Sequence, residues 1–329
     1  MIKTERIGYY DFIRTIAILF VIAIHTRPQL SASVLWRGGE IIINEVIHSA
    51  VPLFLTLSGY LLASKQRKGC FSTVSFYKKH IPKVYIPCII WSIPWLLLYL
   101  KNGTSLQVAF LLFFGCGYSI YYFIALIIQC YLLFPFLMNI TKVGVISTLA
   151  VSLLSAEVVS WLVNIQKIQV CSFVILLGPF PLWLGFFTLG IYLAKYKKYL
   201  ASIKCIVLLI LSLFIAVAET LYLHECYGGG LGTKPSSFLV AISIILLLFN
   251  EKIKYWYDKH IKYAAVTYIS KMSFIIYLTH YYIIIVLSQF CQIDHWIVQW
   301  SIVFFTDLLI ITIIDRILPQ KLKPFVGIY

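Results

Sequence analysis

Residues 11–25 read DFIRTIAILFVIAIH: an aspartate, an arginine and a histidine set in an otherwise apolar run. At about 100° per residue, the steps from Arg14 to His25 make three full turns. Both side chains therefore leave one face of a helix, about 16 Å apart along its axis. Asp11, three residues before Arg14, lies close to the same stripe. Ionisable groups in a membrane-spanning helix are costly unless they face a bundle interior or a water-filled cavity, so all three are candidates for function. The alternative is structural: Asp11 and Arg14 as a paired interfacial anchor, and His25 as a marker of the far membrane surface.

The rest of the chain supplies the membrane. It is 61% hydrophobic and 12% charged, its mean hydropathy is +0.92, and stretches of about 20 apolar residues recur from end to end, the length that crosses a bilayer. The expected fold is an all-α polytopic membrane protein, a single domain over residues 1–329. About ten spans are predicted: 8–26, 44–64, 84–100, 118–139, 143–162, 173–194, 203–223, 236–250, 266–290 and 296–318. The first is not read as a cleaved signal, because it holds three ionisable groups and no small-residue cleavage site follows. Stretch 103–117 is too short to cross and is expected to be an outer-surface helix or a re-entrant piece.

Ten spans place both termini on one side, and the cations sort accordingly. Twenty Lys and Arg residues fall on the terminal side, from Lys3 and Arg6 through Lys65, Arg67, Lys68, Lys197, Lys198 and Lys262 to Lys323. Arg27, Arg37, Lys101, Lys167 and Lys234 fall on the other. The asymmetry puts both termini in the cytoplasm. It also accounts for most of the +15 net charge, so no nucleic-acid partner is read from it.

Several motifs could carry chemistry. Ser273, Tyr277 and His280 share one face of the ninth span, and Ser58–Gly59 in the second is small enough to let helices approach closely. Asp307 lies mid-span in the last helix, where it either hydrogen-bonds within the bundle or lines a cavity. Glu157 and Glu219 are expected at the interface. The segment FYKKHIPKVYIP gathers Lys78, Lys79, His80 and Lys83, suited to anionic lipid headgroups or to a phosphorylated co-substrate. Pro87, Pro94, Pro135, Pro179 and Pro181 predict kinks. The glycines at 228, 229, 230 and 232 read as a flexible turn, since no strand precedes them and no GK[ST] follows. The eight cysteines, Cys70 and Cys171 among them, form no CxxC or metal-ligand cluster and read as small core residues; no metal is expected.

DFIRTIAILFVIAIH, with Arg, ten residues, then His, resembles the first helix of the acyltransferase family 3 membrane proteins. VPLFLTLSGYLL (51–62), YYFIALIIQCYLLFP (121–135), FFTLGIYLA (186–194) and ISKMSFIIYLTH (269–280) are similar to further motifs of that family, in the same order. The chain looks like its short stand-alone members, O-acetyltransferases of surface polysaccharide of the enterobacterial common antigen or O-antigen type. Two departures stand out: Tyr122 occupies a usual Trp position, and lysines replace arginines in the basic loop.

The resemblance implies transfer of an acyl group, usually acetyl, from cytoplasmic acetyl-CoA to a hydroxyl of a glycan or lipid-linked glycan outside the bacterial inner membrane. His25 would be the catalytic histidine and Arg14 its partner. Asp11, Ser58, Tyr277 and His280 would support them, Lys78, Lys79 and Lys83 would guide the coenzyme A phosphates, and the thioester would enter a cavity lined by spans one, two and nine. Some relatives have been argued to export polysaccharide, so an exporter of glycan or of a small molecule is the rival reading.

Overall fold

The computed structural model describes residues 8–26, 38–66, 71–116, 118–168, 173–196, 202–230, 232–261, 264–291, 293 and 295–329. Lys3, Arg6, Arg27, Arg37, Arg67, Lys68, Lys197, Lys198, Lys262, Cys70 and Cys171 lie outside the described residues. The described chain is helical, without strands. Its helices are α1 (Gly8–Thr26), α2 (Gly38–Ile47), α3 (Ala50–Gln66), α4 (Thr73–Lys101), α5 (Leu106–Phe114), α6 (Tyr122–Leu137) and α7 (Lys142–Ser160). They continue with α8 (Phe173–Leu177), α9 (Leu184–Lys195), α10 (Ser202–Tyr227), α11 (Pro235–Leu248), α12 (Glu251–His260), α13 (Ala264–Phe290) and α14 (Trp296–Ile317). Local chemistry sets several starts. Ser72, Ser105, Thr141 and Asn250 accept from backbone N–H groups of α4, α5, α7 and α12, as N-cap residues do. Glu219 of α10 accepts from the Ser236 N–H at 3.1 Å, so it caps α11.

Among the described residues, seven helical segments are long and apolar enough to cross a membrane, or eight if α11 and α12, bent by 58°, are one span. Two of the ten expected spans are broken. Stretch 118–139 opens with a 3₁₀ turn at Ser119–Tyr121 before the 16 residues of α6. Stretch 173–194 divides into α8, a 3₁₀ turn at Phe180–Leu182 and the 12 residues of α9. Pro179 and Pro181 cannot donate to a helical ladder, and side chains take up the freed groups. Gln129 donates to the Gly178 carbonyl at 2.8 Å and accepts from the Phe180 N–H at 3.1 Å. Ser152 donates to the Pro181 carbonyl at 3.0 Å, and the Trp183 indole to the Leu177 carbonyl at 2.7 Å. Such satisfaction is what irregular backbone requires at membrane depth. In α4 the same logic recruits tyrosines. Pro87 leaves the Lys83 carbonyl without its helical partner, and the Tyr329 hydroxyl donates to it.

Helices α3 and α9 meet backbone to backbone. A Cβ on Gly59 would stand 2.2 Å from the Phe187 oxygen, and one on Gly190 would stand 2.0 Å from the Thr56 oxygen. The close approach expected of Ser58–Gly59 therefore exists, and Gly190 is its counterpart. In lipid, where apolar burial offers little drive between helices, such contact supplies packing. Outward-facing apolar side chains abound, such as Leu97 on α4, Phe214 on α10 and Ile317 on α14.

Glu45 of α2, Lys234 at the N-cap of α11 and Ser237 within α11 form a buried cluster. Lys234 pairs with Glu45 Oε1, and Ser237 donates to Glu45 Oε2 at 2.6 Å. Cys88, Cys116, Cys130 and Cys205 are buried, as expected of core residues; Cys226 and Cys291 are exposed.

Candidate active site

Helix α1 packs against α3, α13 and α14, and its polar stripe turns inward at both ends. At one end Ser270 of α13 donates to Asp11 Oδ1 at 2.8 Å, and Arg14 Nη1 reaches the Ser270 oxygen at 3.4 Å and Asp11 at 3.9 Å. Asp11 is buried, while the Arg14 side chain keeps 30% of its surface. Thr15, next to Arg14 and one turn beyond Asp11, donates to the Val266 carbonyl at 3.0 Å. The guanidinium is thus held beside a hydrogen-bonded carboxylate and is still partly exposed, and its planar fork is the kind of group that binds an anionic or carbonyl oxygen.

Basic and aromatic side chains surround this end. Lys65 lies within electrostatic range of Arg14, Lys79 and Lys83, and His80 within range of Lys79, Lys83 and Lys65. Lys78, Lys79 and Lys83 are exposed. Tyr131 lies beside Ser58 and within range of Arg14, with its ring 5.9 Å from that of His80. The Lys83 ammonium sits 5.6 Å from the centre of the Tyr329 ring. Burial, with Tyr131 alongside, pushes the Tyr329 hydroxyl up to about 12, so it remains a donor at neutral pH.

At the other end His25 is half-buried. Its ring centre lies 5.4 Å from that of His280 and 5.6 Å from that of Tyr281, both on α13. The fully buried His280 directs Nδ1 to the Ile276 carbonyl at 2.9 Å. Next to it, Thr279 donates to Asp307 Oδ1 of α14 at 2.7 Å, so Asp307 hydrogen-bonds within the bundle. Tyr277 commits its hydroxyl to the Ile120 carbonyl, which gives it a bond to the turn before α6. Ser273 bonds back to the Ser270 carbonyl at 2.8 Å.

The stripe between the two ends is packed. Ile18 and Ile22, one and two turns beyond Arg14, are fully buried in an apolar cluster with Ile275, Ile276 and Leu278 of α13. A cavity of about 470 Å³ lies elsewhere, between α7 and residues 175–182. Its lining is apolar, from Val151, Leu154, Val158 and Leu182 among others, and it borders none of the predicted site residues.

Arg14, Asp11 and Ser58 thus gather near one cluster with Lys79 and Lys83, and His25 and His280 form another. Lys78 is not among the lysines grouped around Lys65. Sequence reasoning missed Lys65, Tyr131, Ser270, Tyr281 and Thr279 as members of these clusters. Ser270 and Thr279, inside the motif ISKMSFIIYLTH, and Tyr131, inside YYFIALIIQCYLLFP, were within reach; Lys65 and Tyr281 are placed only by folding.

No curated protein and no solved structure matches the chain significantly. Residues 7–316 match the family described as Acyltransferase domain, acyltransferase family 3. That span runs from the residue before α1 almost to the end of α14 and takes in both polar clusters: the chain belongs to the acyltransferase family 3 membrane proteins.

Proposed function

We propose that the chain is an O-acetyltransferase of the bacterial inner membrane, moving an acetyl group from cytoplasmic acetyl-CoA to a hydroxyl of a surface polysaccharide or of its lipid-linked precursor. The observation that carries this reading is the inward turn of both ends of the α1 stripe. Arg14 stands among lysines at one end, and His25 faces a second imidazole at the other.

The lysine-lined end suits the donor. Lys79 and Lys83, with Lys65, attract the phosphates of coenzyme A, and Arg14 offers its fork to an anionic or carbonyl oxygen. Lys78 adds to the local potential from the flank. The His25 end suits the acceptor. An imidazole there takes the proton of a sugar hydroxyl as its oxygen attacks the thioester carbon. The new C–O bond forms, the C–S bond breaks, and the thiolate leaving group recovers the proton from the imidazolium. The extended pantetheine arm bridges the two ends along the stripe, which requires Ile18 and Ile22 to give way.

Replacement of His25 by Ala tests the reading. The expected result is loss of base-labile acetate from the surface glycan, with normal abundance of the protein in the membrane and a normal amount of polymer. Full acetylation by His25→Ala removes the catalytic role, and loss of the polymer itself favours the exporter.

A further inference from the structure

His280 has one ring nitrogen engaged and one bare. A carbonyl oxygen can only accept, so the contact from Nδ1 to the Ile276 carbonyl fixes the proton on Nδ1. In the neutral ring Nε2 is then an acceptor, and it has no hydrogen-bond partner among the described residues although the side chain is fully buried. A doubly protonated ring would instead bury a cation with an unpaired donor, which is more costly still. Buried acceptors without donors are uncommon in folded proteins and mark places where a partner is needed.

The nearest ring able to supply one is His25. Imidazoles joined edge to edge by an N–H···N bond have their centres one bond length plus two ring radii apart, on the order of 5 Å. The rings of His25 and His280 are 5.4 Å apart and inclined at 39°, a separation that suits such a bond when His25 presents its N–H to His280. His280 cannot turn away, because its own Nδ1 is anchored one helical turn back. The third histidine nearby, His48, uses its Nδ1 on the Asn44 carbonyl at 2.7 Å.

We propose that His280 is the positioning residue for His25: its bare Nε2 accepts the N–H of His25, which leaves the other nitrogen of His25 bare and facing the acceptor hydroxyl. The relay runs from the Ile276 carbonyl through His280 to His25, and the reacting proton moves only between the hydroxyl and His25. His280 does the work that a carboxylate does in many histidine-dependent active sites, fixing tautomer and ring direction, but with a neutral acceptor suited to a membrane interior. This inference rests on His25 acting as the base.

Three variants of the full-length chain test it, assayed as base-labile acetate on surface glycan at matched membrane abundance. His280→Phe fills the space without an acceptor and is expected to lower acetylation about 10- to 100-fold, the usual cost of losing an orienting partner. His280→Gln restores an acceptor oxygen at similar reach and is expected to retain at least several times the activity of His280→Phe. If His280→Phe does not accumulate, His280→Met supplies the apolar comparison. Wild-type acetylation by the apolar variant overturns the proposal. So does an apolar variant as active as His280→Gln, which assigns the histidine to packing. His25→Ala is run alongside: if it is inactive while His280→Phe is normal, only this inference fails, and if it is active, the base assignment fails with it.

Discussion

Ser270 donates its hydroxyl to Asp11 across 2.8 Å, and the same oxygen lies 3.4 Å from Arg14 Nη1. One hydroxyl therefore ties α13 to α1 and sets the direction in which the guanidinium points. Removing it in Ser270→Ala leaves Asp11 buried with one donor fewer, at a cost of about 1 kcal/mol. The expected outcome is a small drop in melting temperature in detergent and a partial loss of acetylation. Arg14→Lys keeps the charge but not the planar fork, and is expected to lower acetylation at least tenfold with an unchanged melting temperature. Equal activity in Arg14→Lys and the parent would show that only charge is required there.

Lys79 and Lys83 share an electrostatic neighbourhood with Lys65 and Arg14, and Lys78 does not. Reversal of either charge, Lys79→Glu or Lys83→Glu, is expected to raise the KM for acetyl-CoA roughly fivefold at low salt, about 1 kcal/mol of screened attraction, and less at high salt. Lys78→Glu is expected to have the smaller effect. Steady-state kinetics at two ionic strengths decide the matter; a KM indifferent to all three would place the donor elsewhere.

Gly190 offers no room for a methyl group, because the obstruction is the Thr56 carbonyl of a neighbouring helix rather than a flexible side chain. Gly190→Ala is expected to destabilise the protein by more than about 3 kcal/mol, in the range reserved for overpacking and backbone displacement. The readout is monodisperse protein recovered in detergent, compared with Gly39→Ala, where the added atom meets nothing within 4 Å.

Glu45 and Lys234 are both almost fully buried. Neutralising one partner in Glu45→Gln leaves an uncompensated charge and is expected to cost about 3–5 kcal/mol. The double replacement Glu45→Met with Lys234→Met removes both charges and is expected to be milder than either single change. Thermal melts of this double variant and of the single changes Glu45→Met and Lys234→Met test this, and an additive double variant would contradict it.

Helical periodicity made the α1 stripe legible, since Arg14 and His25 need only a regular turn to share a face. Gly59 was legible too, because a small residue in an apolar helix has few other uses. Its partner Gly190 was not, since nothing local says which helices touch. Lys234 counted among the outer-side cations, yet it is buried against a glutamate 189 residues away; charge counting cannot see pairing. Hydropathy predicts stretches 118–139 and 173–194 as continuous spans, because it measures length in residues and not in helix. Pro179 and Pro181 signal the bend, but it is Gln129 and Ser152, on other helices, and the Trp183 indole that make a full interruption tolerable.

The contact of α3 with α9 through Gly59 and Gly190 has a mechanical consequence. Two backbones pressed together without intervening side chains have no rotamers to exchange, so the pair moves as a stiff block. If the proposed thioester parts Ile18 from Ile22, the movement then falls to their other neighbours in the cluster, α13 and the proline-bearing α4, rather than to the α3–α9 pair.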